Sequence, residues 1–99
     1  MQSRIEHVYE TIRLMHDQGY RHITKGYVLN QMDDEAALKS LSTEIIELAM
    51  HPGDPTEMAD VLACLFHYAY RHGWSLDFLA QEMAVKLGQR FTNSLPSEG

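Results

Sequence analysis

The chain has 99 residues, a formal net charge of −6 with histidine neutral, and a single cysteine. That length makes one domain with a small core, and the acidic balance excludes a nucleic-acid polymer or an anionic membrane surface as the main partner. A lone Cys64 excludes an internal disulfide and fits a reducing cytoplasm, where a cysteine in an apolar helical run serves as a small buried hydrophobe. No apolar run reaches membrane-spanning length, and the N-terminus, polar from Gln2 onward, lacks the character of a signal peptide.

Ser3 followed by Glu6 is a capping-box pattern, and Ile5, Val8, Tyr9, Ile12 and Met15 recur at helical spacing. A first helix is expected over about residues 4–18, stopped by Gly19. In residues 20–33, Tyr20, Ile23, Tyr27 and Val28 suit a strand, but Gly26 interrupts them and no partner segment is visible. The expectation is a loop with at most one short helical turn, either functional or a strap packed by its own aromatics. Asp33 or Asp34 caps a second helix, whose apolar stripe is Leu38, Leu41, Ile45 and Leu48 and which ends near Met50 at His51-Pro52-Gly53-Asp54-Pro55.

Asp54-Pro55-Thr56-Glu57 combines an Asp N-cap, Pro at N1 and Glu at N3, a strong helix start. The third helix runs to about His72 and stops at Gly73. Met58, Val61, Leu62, Leu65, Phe66 and Ala69 make it the most apolar segment and the natural centre of the fold. Ser75 caps a fourth helix with Phe78, Leu79, Met83 and Leu87 on its inner face, and a Ser/Pro-containing tail occupies 92–99. The fold class is therefore all-α: a compact four-helix bundle-like single domain over residues 1–99, completed by self-association.

Two acidic pairs flank the Pro/Gly turn, Glu44 with Glu47 and Glu57 with Asp60, each spaced i,i+3 and so on one helix face. Helices joined by so short a turn are antiparallel neighbours, which brings Glu47 near Glu57 and sets Glu44 and Asp60 one turn deeper. Like charges at that range raise each other's pKa unless something offsets them, and Mg²⁺, a hard cation that takes oxygen ligands, is the simplest offset. The competing reading is a solvated acidic face, with Glu57 merely completing a helix cap.

The segment Leu41-Ser-Thr-Glu44-Ile-Ile-Glu47-Leu48, followed by Glu57-Met-Ala-Asp60-Val-Leu, resembles the MazG-like nucleoside triphosphate pyrophosphohydrolases. These are all-α enzymes, and the group includes dimeric dUTPases and dCTP pyrophosphatases. The similarity spans roughly residues 36–91. It implies that Glu44, Glu47, Glu57 and Asp60 ligate Mg²⁺, or Mn²⁺ in its place, and that the ion holds a triphosphate and activates water. The implied products are a nucleoside monophosphate and pyrophosphate, with Glu44 and Glu47 as the catalytic carboxylates. Lys86 and Arg90, i,i+4 on the last helix, are the implied phosphate contacts; a Glu82–Lys86 surface pair is the plain alternative. A nucleotide bound where subunits of a homodimer or homotetramer meet is part of the same implication.

The sequence departs from the family pattern twice. Thr43 stands where the first glutamate of a Glu-Glu pair is usual, which bears on catalytic rate, and the spacer between the motifs is short. The alternatives are a relative that binds nucleotide or metal with little turnover, and a helical interaction protein. His22, Lys25 and Tyr27 are candidates to line a base pocket. The six histidines show no metal-ligand spacing and are expected at the surface or an interface, and Trp74 is expected to pack at its helix turn.

Overall fold

The computed structural model describes residues 3–22 and 25–94. In chain order the elements are α1 (Arg4–Asp17), a 3₁₀ turn (Leu29–Gln31), α2 (Asp34–Met50), α3 (Pro55–Arg71) and α4 (Leu76–Ser94). No strand forms among the described residues, and the all-α expectation holds. No described helix is long and apolar enough to cross a membrane.

Each helix starts where its side chains can satisfy free backbone N–H groups. Ser3 accepts from the Glu6 amide, Asp33 from Ala36, Asp54 from Thr56 at 2.9 Å, and Ser75 from Phe78 at 3.0 Å. Gly19 and Gly73 take positive φ of 69° and 72° and close α1 and α3. The following amides, of Tyr20 and Trp74, return to the Met15 and Ala69 carbonyls, the pattern of a glycine C-cap.

The described residues 20–22 and 25–33 form more than a plain loop, with one 3₁₀ turn at Leu29–Gln31. Arg21 and Val28 form an isolated antiparallel bridge, and the His22 and Leu29 amides bond the Tyr27 and Tyr20 carbonyls. The missing partner segment is the loop's own second half. Gly26, at φ 76°, lets the chain reverse rather than interrupting it. Ile23, counted among the strand-compatible residues, lies outside the described residues.

α3 is central and packs against α2 and α1. The buried apolar core is small: Ile12, Ala37, Val61 and Ala69. It also holds two polar groups, Glu44 and His67, at 5% and 7% exposure. The expected α2 stripe is only partly buried. Leu41 and Leu48 are half-buried, whereas Leu38 and Ile45 are exposed; the inward residues are Ala37, Ser40 and Glu44. The helix is rotated so that small and polar side chains meet the loop and α3. On α1, Ile5 and Val8 are likewise exposed.

At the far end of α3, Arg71 and His72 both reach the Asp34 carboxylate, at 3.0 Å each, and tie the end of α3 to the start of α2. The Arg71 guanidinium holds the Asp34 carboxyl below the usual carboxylate range. Trp74 stacks on His72 with centroids 4.6 Å apart, as expected of a turn residue.

α4 differs from the other helices. It packs only marginally on them, and Phe78, Met83, Leu87 and Phe91 are all exposed. The radius of gyration is 16.5 Å, with a longest extent of 58 Å, against about 13 Å for a compact domain of this length. Helical order continues to Ser94, so the tail expected from 92 is helical at its start.

Candidate active site

The α2–turn–α3 hairpin places carboxylates from both helices together. Glu44, Glu57 and Asp60 each present an oxygen within 4.8 Å of the other two. Such a donor set is all hard oxygen and suits Mg²⁺ or Mn²⁺. Glu44 is 5% exposed. Its Oε2, and Oε2 of Glu57, are buried with no hydrogen-bond partner in the protein. An orphaned buried carboxylate oxygen is costly, and a cation between these oxygens would satisfy them. The residues therefore fit the ion that the sequence pattern implies.

Glu47 lies at the edge of the group. Its side chain is 40% exposed and its Oε1 is 3.6 Å from Lys25 Nζ. Desolvation, then the charges of Glu47, Asp54 and Asp60, push the Glu57 carboxyl above its ordinary pKa. That is the repulsion expected of clustered carboxylates.

Lys25, a candidate from the sequence to line a base pocket, also has a contact that the sequence does not announce: its ammonium ion-pairs with buried Glu44. The hydrogen bond to Glu44, with the charges of Glu44 and Glu47, outweighs desolvation and holds the ammonium protonated above the ordinary lysine range. The one available signal was a basic residue in a long loop preceding an acidic helix. Nothing in that spacing specifies the contact.

A cavity of about 280 Å³ opens beside the carboxylates. Glu44 and Asp60 form one side, and Tyr20, His22 and Tyr27 come from the loop. Ser40 donates to the Tyr27 hydroxyl at 3.3 Å, fixing the loop to α2. Ile12 and Met15 of α1 and Cys64 and His67 of α3 add further wall. Burial pushes the Cys64 thiol up, so it stays protonated and is a wall residue rather than a nucleophile. His67 is not the surface histidine expected: it is buried, with Nε2 3.0 Å from His16 Nδ1.

Thr43 is exposed, and its hydroxyl donates to the Lys39 carbonyl one turn back at 3.1 Å. It bonds its own helix, and among the described residues it makes no hydrogen bond to the carboxylate cluster. Thr43→Ala is accordingly expected to leave activity within about threefold of the parent, since a substitution off the reacting groups removes little transition-state binding; steady-state kinetics check this. Lys86 and Arg90 are exposed on α4 and carry no ion pair with the cluster among the described residues.

An all-helical chain with Glu-x-x-Glu on one helix and Glu-x-x-Asp at the start of the next has the form of the MazG-like NTP pyrophosphatases. A family model described as dATP/dGTP pyrophosphohydrolase matches residues 23–98, and the chain belongs to that family. No curated protein and no solved structure matches it.

Proposed function

We propose that this chain hydrolyses a purine deoxynucleoside triphosphate to the monophosphate and pyrophosphate, with Mg²⁺ held by Glu44, Glu57 and Asp60 and flanked by Glu47. The observation that carries the reading is a glutamate buried to 5% exposure with an unpartnered oxygen, set against two further carboxylates. A solvated acidic face has no reason to bury its central member. The purine preference rests on the family description.

When bound, the ion supplies positive charge that lets an acidic pocket accept a triphosphate, and it acidifies water. Glu44, Glu57 and Asp60 hold their oxygens in place on two packed helices. Glu47, outside the tight group and partly solvated, is placed to orient the attacking water and take its proton. The cavity beside Glu44 and Asp60 takes the nucleoside, with Tyr20 and Tyr27 against the base.

The active form is a homodimer or higher homo-oligomer. Leu38, Ile45, Met58, Leu62 and Leu65 are between 40% and 49% exposed on α2 and α3, and α4 adds a further apolar row. A second copy would cover those faces and could bring Lys86 and Arg90 to the phosphates.

The test is pyrophosphate release from dATP, dGTP and the other common NTPs and dNTPs, with Mg²⁺ and with chelator. Mg²⁺-dependent release from a purine deoxynucleotide is the expected result. Absence of pyrophosphate from every member of the panel would sink the reading.

A further inference from the structure

The carboxylate group already contains one cation, and it belongs to the chain itself. Lys25 Nζ pairs with Oε1 of buried Glu44 and lies 3.6 Å from Oε1 of Glu47, while Oε2 of Glu44 and of Glu57 face the remaining side without partners. Lys25 comes from the loop that walls the cavity. Its amide bonds His22 Nδ1 at 3.0 Å, and the adjacent Gly26 carbonyl accepts from Arg21 Nη1 at 2.9 Å. The Lys25 backbone is therefore hydrogen-bonded to the segment that carries His22 and Tyr27.

We propose that Lys25 is a built-in competitor of the divalent ion for Glu44, and that metal loading displaces it and loosens the loop over the cavity. This rests on reading the cluster as a metal site. Glu44 has two oxygens and one of them is occupied by an ammonium. A divalent ion drawing Glu44 toward Glu57 and Asp60 reduces the negative charge that holds Lys25. Metal affinity and loop order are then reciprocally linked: whatever holds Lys25 on Glu44 weakens metal binding, and bound metal weakens the Lys25 contact by the same factor. The device would keep the pocket wall fastened when no metal is present and release it to admit nucleotide when the site is charged.

The experiment is calorimetric titration of the full chain with Mn²⁺, without nucleotide, for the parent, Lys25→Met and Lys25→Arg. Lys25→Met is expected to bind Mn²⁺ about tenfold more tightly, within the usual 5- to 150-fold span of such couplings, while Lys25→Arg, which keeps the charge, stays near the parent. Amide exchange on the parent gives a reading independent of any variant's folding. Added Mn²⁺ should speed exchange at Lys25 and Gly26 and leave mid-α2 and mid-α3 unchanged or slower. If the parent binds Mn²⁺ and Lys25→Met binds it equally or less well, the competitor role is overturned and the metal site stands. Loop exchange that metal leaves unchanged overturns the coupling in the same way. If neither protein binds Mn²⁺, the metal site itself fails and the proposal falls with it.

Discussion

Glu44→Gln is expected to lower kcat/KM for purine deoxynucleotide hydrolysis by roughly 100- to 1000-fold, the range of a group worth about 3–4 kcal/mol in the transition state. The amide keeps the size of the side chain and removes the charge from the most buried member of the cluster. Thermal melting gives the second readout. Metal that binds only the folded chain stabilises it by about 2.7 kcal/mol at a hundredfold excess over Kd, and Glu44→Gln should lose most of that increment. Without metal the variant should fold normally, because the amide keeps the shape of the side chain and Lys25 retains Glu47 nearby. Glu47→Gln makes the contrast: it should keep the metal-induced rise in Tm and lose rate. Full activity in Glu44→Gln would remove that residue from the site.

Stability should fall as pH drops from about 6.5 toward 4, because of His67. Burial, then the charges of His16 and Arg71, push its imidazole down to about 4. In the unfolded chain a histidine titrates near 6.5. Below 6.5 the unfolded chain therefore takes up a proton that the native state declines, and the equilibrium shifts toward unfolding; above 6.5 the contribution is fully present. The difference of about 2.5 units corresponds to roughly 3 kcal/mol by pH 4. The geometry agrees: a neutral His67 can donate or accept through Nε2 across the 3.0 Å gap to His16 Nδ1. Tyr70, edge-on to His16 at 5.2 Å and donating to Asp17, fixes the pair from the other side. Urea midpoints between pH 7 and pH 4.5 should show the decline, and His67→Gln should flatten it between pH 6.5 and 5 while starting from a lower value. Parallel slopes in both proteins would assign the effect to another group.

Much of the helical frame was readable because its signals are local. Asp54-Pro55-Thr56-Glu57 fixes the start of α3 by capping chemistry that needs no tertiary information, and the i,i+3 spacing of the four acids follows from helix geometry alone. The features that escaped depend on contacts distant in sequence. Lys25 meets Glu44 across 19 residues, and His16 meets His67 across 51. On α2, apolar spacing alone favours Leu38 and Ile45 as the inner face. The structure instead turns Ala37, Ser40 and Glu44 inward, where a small side chain, a hydroxyl bonded to Tyr27 and a paired carboxylate fit. A functional site is where burying a polar group overrides the pattern.

The marginal packing of α4 divides the protomer into parts of unequal local stability. Residues Leu76–Ser94 form about 28 Å of helix at 1.5 Å per residue, held by its own backbone bonds and the Ser75 cap rather than by a core. A helix of that kind opens at little cost, whereas opening α2 or α3 exposes Ala37, Val61 and Ala69. In the proposed oligomer, amide protection in α4 would report association between copies, and protection in α3 would report folding of the single chain. Dilution would separate the two.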